Sequence, residues 1–188
     1  MTATTGPTPA EMTTVTSEIG RDLRMPRWVI VWLIVTACIQ TYDALYELLG
    51  HLSHAGGPLA WLWPGHVFYA KYDQRYAGID AFGSAQSWAN LLEVVVLLCV
   101  LVWLRTRFSG LVLALIVSTA TFWKTVLYFL VEICSGLAMT KQSLQDGNLG
   151  GFLAVAVLPN LVWIVVPLLV IIVLGRQAAR VGRRLAGR

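Results

Sequence analysis

The sequence predicts an all-α integral membrane protein, an antiparallel bundle of four transmembrane helices. Only 13% of its 188 residues are charged while 57% are hydrophobic, a balance far from that of soluble domains. Apolar runs of membrane-crossing length cover about Trp28–Leu49, Gln86–Leu104, Leu111–Ile133 and Phe152–Leu174. Each run also carries polar residues at helical spacing, so each helix has a polar stripe that would face a neighbour rather than lipid.

Basic residues set the expected orientation. Arg21, Arg24, Arg27, Arg105, Arg107, Arg176, Arg180, Arg183, Arg184 and Arg188 all fall on the side that holds both termini and the short middle loop. Lys71, Arg75 and Lys141 fall opposite, and Lys124 lies inside a span. The positive-inside rule then makes both termini cytoplasmic. The net charge of +4 is thus a topology signal, and no nucleic-acid partner is expected. Cys38, Cys99 and Cys134 lie within apolar runs and read as packing residues, with no disulfide framework or zinc spacing. The chain has no Gly-rich phosphate loop, Cys-x-x-Cys or serine-nucleophile elbow, and neither a metal nor a cofactor is expected.

Residues 1–25, rich in Thr and Pro, read as a disordered cytoplasmic tail, residues 26–175 as the membrane domain, and residues 176–188 as a basic cytoplasmic tail near anionic lipid. The first span places Thr36, Gln40, Asp43 and Glu47 at i, i+4, i+7 and i+11, flanked by Tyr42 and Tyr46. Residues 50–85 form an aromatic loop with breaks at Gly56-Gly57-Pro58, Pro64-Gly65 and Gly83, expected to lie along the headgroups as a cap. Its His51, His54 and His66 match no ligand spacing and read as ordinary loop histidines.

The second span carries Gln86, Asn90 and Glu93 at i, i+4 and i+7. In the third, Thr121, Thr125, Tyr128 and Glu132 repeat the i, i+4, i+7, i+11 pattern, with Trp123 and Lys124 beside them. The fourth has Asn160, Trp163 and Pro167 at i, i+3 and i+7, and Pro159 near its start. Packed stripe to stripe, the helices would enclose Asp43, Glu93, Glu132 and Lys124 with their neutral neighbours. Three acids against one base cannot all ionise cheaply there, so a neutral acid beside an ionised carboxylate is expected. That asymmetry suits adding a proton at one carbon and removing one at another. Trp163, Trp123 and Tyr128 would offer π-faces to a developing cation, worth about 2 kcal/mol each when desolvated. The plainer reading is that the polar groups only hold the helices together.

The segments Val126-Leu127-Tyr128-Phe129-Leu130…Glu132 and Asn160-Leu161-Val162-Trp163-Ile164-Val165-Val166-Pro167 resemble the emopamil-binding protein family, the EXPERA domain. The loop segment Tyr72-Asp73-Gln74-Arg75-Tyr76 with Asp80 is similar too, as are an acid in the first helix, Asp43, and one in the second, Glu93. The likeness runs from about Trp28 to Gly175. It implies an EXPERA-like bundle with sterol isomerase-like chemistry, in which an alkene is protonated and a neighbouring proton leaves the resulting cation. By position, Asp43 and Glu93 would handle protons, Asn160 would hydrogen-bond the site and Trp163 would face the cation. Substrate contacts would come from Gln40, Tyr42, Glu47, Gln86, Asn90, Trp123, Lys124, Tyr128 and Glu132. The chain departs from the isomerases at Ile39, where they carry a histidine, and in the shorter acid Asp43. Lys124 has no counterpart in their pattern.

The expected function is therefore a membrane isomerase, or cyclase, of a sterol-like or terpenoid lipid. The alternative is a non-catalytic sterol- or lipid-binding membrane protein, as some members of that family are. The expected partners are a polycyclic or isoprenoid lipid and the bilayer. The large lipid-facing surface of one bundle leaves room for a homodimer.

Overall fold

The computed structural model describes Gly20, residues 23–78 and residues 80–186; most of the N-terminal tail and the last two residues lie outside them. The described residues are helical, with no strand among them. Four helices are long and apolar enough to cross a membrane. They are α1 (Arg27–Leu49), α3 (Ala81–Cys99, continued by a π-helical stretch Val100–Leu104), α4 (Phe108–Cys134) and α7 (Leu158–Ala186). Short helices α2 (Pro64–Tyr69), α5 (Ala138–Gln145) and α6 (Leu149–Phe152) lie in the connections.

α1 packs along α3, α4 packs along α7, and α3 joins the two pairs through α4. The apolar core occupies the end that holds the chain termini. There Val29, Leu33 and Ala37 of α1 meet Leu97 and Val100, Leu111, Ala114 and Val117 of α4, and Val170 and Leu174 of α7. Outside it, Val31, Leu92, Val95, Ile116 and Val165 are each more than half exposed. A soluble protein would rarely leave that many large apolar side chains in water, whereas a lipid-facing surface requires them.

The helix boundaries have local causes. α1 begins after Pro26 and ends at Gly50, whose φ of 52° places it in the left-handed region. α3 starts five residues before the apolar run suggests, because the Asp80 carboxylate accepts a hydrogen bond from Gly83 N at 2.8 Å and caps the helix. Gly83 is thus a helical residue, not a loop break, and it lies against α1, where a Cβ would sit 3.0 Å from Glu47 Oε2. The turn from α3 into α4 is tight enough that a Cβ on Gly110 would stand 1.9 Å from the Leu104 carbonyl oxygen. α7 accommodates Pro167 in its interior with the ring fully buried. It then continues through the basic segment to Ala186, so the described part of that segment is helical.

Beyond the helix ends opposite the core, residues 50–78 fold into a cap of short helical turns rather than an open loop. Trp63 is buried and donates from Nε1 to the Tyr42 carbonyl at 2.9 Å, while Tyr46 donates from its hydroxyl to the Tyr76 carbonyl at 3.1 Å. Trp61 and Phe68 remain on the outer surface of this cap.

Candidate functional site

All four stripe residues of α4 are buried: Thr121, Thr125, Tyr128 and Glu132. So are Thr36, Gln40 and Glu47 of α1 and Asn90 and Glu93 of α3. Helical spacing therefore identifies the inward faces. The stripes do not, however, converge on one interior; they separate into three polar groups.

The first group lies between the core and the cap. Asp43 accepts hydrogen bonds from Asn90 Nδ2 at 2.9 Å and from the Tyr76 hydroxyl at 3.0 Å, and His66 Nε2 lies 3.1 Å from its Oδ1. The other end of the Asn90 amide accepts a hydrogen bond from Lys124 Nζ. Lys124 in turn pairs with Glu93 Oε1 at 2.9 Å, and Glu93 Oε2 accepts from Gln40 Nε2 at 2.5 Å and Thr121 Oγ1 at 2.7 Å. A continuous chain thus runs His66–Asp43–Asn90–Lys124–Glu93–Gln40. A lysine and a carboxylate this far from water offset one another only through such contacts, since each alone would carry a large desolvation penalty. The residue with no counterpart in the isomerase pattern is thereby placed: Lys124 is the counter-charge of Glu93.

Two adjoining cavities meet at this chain. An interhelical chamber with a cavity volume of ≈ 90 Å³ is lined by Gln40, Asp43, Gln86, Asn90, Thr121, Lys124 and Thr125, with Tyr76, Ile39, Asn160 and Trp163. A side chamber with a cavity volume of ≈ 340 Å³ lies between α1, α7 and the cap, lined by Tyr42, Gly65, His66, Tyr69 and Pro159. Ile39, Asp43, Tyr76, Asn160 and Trp163 line both. Asp43 therefore stands at the junction together with Trp163, whose ring is tilted by 52° against that of Trp32 at 5.3 Å between ring centroids. Asn160 donates from Nδ2 to the Tyr69 hydroxyl at 3.0 Å and to the Ala156 carbonyl at 2.7 Å. Gln86 donates to the Lys124 carbonyl at 3.2 Å.

The second group lies further along α4, toward its C-terminal end. The Tyr128 hydroxyl donates to Asp73 Oδ2 at 2.7 Å, and the Arg75 guanidinium lies over the Tyr128 ring at 4.9 Å and 3.8 Å from Glu132. Glu132 accepts from Thr140 N at 3.0 Å and Met139 N at 3.4 Å, capping the first turn of α5. Burial pushes the Asp73 carboxyl above its ordinary range, against the opposing pull of the Tyr128 and Arg75 contacts. Burial also raises Tyr69 and Tyr76, with the Asp43 charge adding to the latter, so both phenols stay protonated.

The third group is Glu47 with His54. Glu47 Oε1 is 3.9 Å from His54 Nε2, and both carboxylate oxygens are buried without a hydrogen-bond donor. Burial lowers His54, which favours its neutral form.

The expected site residues are distributed unevenly about the chambers. Trp123 is 59% exposed, because it sits two residues from Thr121 and so points to the opposite side of α4; it offers no π-face to the chambers. Tyr128 and Glu132 belong to the cap anchor, about one and two helical turns beyond Lys124, and line neither chamber. Glu47 likewise faces His54 and the start of α3. Glu93 is in the first group but behind Lys124, off the chamber walls. Gln40, Tyr42, Asp43, Gln86, Asn90, Lys124, Asn160 and Trp163 do line one or both.

His66, Tyr76 and Tyr69 were not legible as site residues. They reach the chambers from the cap, and an irregular loop has no period that ties a position to a helix face. The Pro64-Gly65 break was the nearest signal, since proline at the first position of α2 sets the helix that carries His66. Among the described residues no cluster of His, Cys, Asp and Glu has the makings of a metal site. Compared with protein-family models, curated proteins and solved structures, the chain matches none of the three.

Proposed function

We propose that the protein is a multi-pass membrane isomerase, or cyclase, of a sterol-like or terpenoid lipid, built as an antiparallel EXPERA-like bundle with both termini cytoplasmic. The observation that carries this reading is Asp43, a carboxyl group at the junction of two chambers that Trp163 also lines, in a helix of membrane-crossing character. An acid in that position delivers its proton to an alkene, leaving a tertiary carbocation against the indole face. A neighbouring C–H then gives up its proton to a base, for which the His66 imidazole in the side chamber is the candidate, the electron pair forming the shifted double bond. In a cyclase the same cation is first attacked by a second alkene.

As a base to receive the departing proton, His66 fits better than Glu93. It contacts Asp43 at 3.1 Å and lines the side chamber, whereas Glu93 connects to Asp43 only through an ammonium and an amide. An amide passes a proton only through an unfavourable imidic form. In the isomerases that the sequence resembles, the histidine stands on the first helix, where this chain has Ile39; here an imidazole approaches Asp43 from the cap. Glu93 serves instead to hold Lys124.

The second reading is a non-catalytic lipid-binding protein. It is favoured by the same geometry, because His66, Tyr76 and Asn90 already engage the Asp43 oxygens. The experiment that separates them is incubation of the purified protein and its co-purifying lipid in D2O, followed by mass spectrometry. Catalysis adds deuterium at carbon; a lipid that remains bound and unlabelled supports the binder.

A further inference from the structure

Of the 14 basic residues only Lys71, Lys124 and Lys141 are lysines; the rest are arginine. Lys71 and Lys141 are exposed, while Lys124 stands inside a span and lines a cavity. An ion pair by itself gives no reason for lysine at that position. Arginine stays charged and grips a carboxylate through a planar fork, and this chain sets Arg75 against Glu132 further along α4. What lysine adds is the ability to give up a proton and act as a nucleophile toward a carbonyl.

The surroundings of Nζ suit that chemistry. Two groups hold it: Asn90 Oδ1, on a residue that lines the interhelical chamber, and Glu93 Oε1 at 2.9 Å, on a residue that does not. The lysine side chain is 15% exposed, so it is not sealed behind the wall. The amine therefore stands at the chamber with its carboxylate behind it. The interhelical chamber is small, ≈ 90 Å³, beside a side chamber of ≈ 340 Å³. Since benzene fills a cavity of about 150 Å³, the smaller space admits the end of a chain but not a ring.

We propose that Lys124 is a nucleophile that forms an imine with a lipid aldehyde, whose carbonyl end enters the interhelical chamber while its apolar body lies in the side chamber. The ammonium passes one proton to Glu93 across their contact. The nitrogen lone pair then attacks the carbonyl carbon, the C=O π pair moves to oxygen, and a proton shifts from nitrogen to that oxygen. Glu93 returns its proton to the new hydroxyl, which leaves as water while the nitrogen lone pair closes the C=N bond. The sum is ammonium plus aldehyde giving iminium plus water, so the positive charge is conserved and Glu93 remains its counter-charge throughout. A ring ketone is too broad for the smaller chamber. The inference rests on the lipid reading above for the body of the ligand, and adds its reactive end and a covalent bond to the protein.

The test is incubation of the full-length protein in nanodiscs with farnesal, an isoprenoid aldehyde, and sodium cyanoborohydride, followed by digestion and mass spectrometry. Hydride transfer to the iminium carbon fixes the adduct as a secondary amine, and exposed Lys71 and Lys141 serve as internal controls. Lys124 should be modified at least about tenfold more than either, because the chambers hold the carbonyl against its amine. Its modification should saturate with farnesal and fall when farnesol, the matching alcohol without a carbonyl, is added. Lys124→Arg keeps the charge beside Glu93 and should lose the adduct in a protein that elutes and melts like the wild type. Should that variant fail to fold, the comparison of the three lysines within the wild type decides alone. Modification of Lys124 no greater than that of Lys71 and Lys141, or indifferent to farnesol, overturns the inference. Deuterium entering a lipid that forms no adduct would refute the imine and leave the isomerase standing. A saturable Lys124 adduct without deuterium at carbon would do the reverse.

Discussion

At the scale of single residues, the determining fact is that Lys124 and Glu93 neutralise one another away from water. Breaking such a pair from one side leaves an uncompensated charge, which costs about 3–5 kcal/mol, whereas replacing both partners is close to neutral. Lys124→Met should therefore lower thermal stability in detergent sharply, and Lys124→Met/Glu93→Gln should recover most of the loss. Equal destabilisation by the single and double variants would show that the pair is not the unit. Lys124 was conspicuous in the sequence as a base inside an apolar run, and its partner lay among three acids. Spacing alone could not choose between them, because Glu132 shares α4 with Lys124 while Glu93 lies on α3, and the choice depends on which helix packs alongside. Trp123 illustrates the opposite failure: its chemistry suited a cation, but its position two residues from the polar stripe turned it outward.

At the scale of elements, the inward faces of the spans follow from periodicity, because desolvation penalises any polar stripe turned toward lipid. The cap follows from no such rule. Its fold depends on particular tethers, of which Glu132 is one, bonding the first turn of α5 and lying near Arg75. Glu132→Ala should cost about 1–2 kcal/mol through the lost cap and expose residues 138–145 to faster hydrogen exchange, while Thr121 and its neighbours stay protected. Asp73 adds a pH dependence to the same region. Its folded-state carboxyl titrates above the ordinary range, so between the two values the folded protein binds more protons than the unfolded chain. Its contribution is thus most favourable below the ordinary aspartate range and is lost as pH rises through the raised value. Thermal scans across mildly acidic pH should show this slope in the wild type and a flatter profile in Asp73→Asn.

At the scale of the whole molecule, the composition and the four long apolar helices agree on a multi-pass membrane protein. The positive-inside rule adds an orientation that fusions can check: a C-terminal fluorescent protein should glow, and a C-terminal alkaline phosphatase should stay inactive. The opposite pair of results would place the basic ends outside and turn the cap, with His66, toward the cytoplasm. The general position of the site was legible, since Asp43, Asn160 and Trp163 do meet in one chamber. Its closure by the cap was not, because the contact between His66 and Asp43 spans two elements that share no repeat. The central claim is that Asp43 moves the proton. The most direct measurement is the rate at which deuterium from D2O enters the bound lipid, compared between the wild type and a folded Asp43→Asn variant. The account predicts incorporation at carbon in the wild type and a rate lower by about 10²–10⁴-fold in the variant. Equal rates in the two proteins, or no incorporation in the wild type, would contradict it.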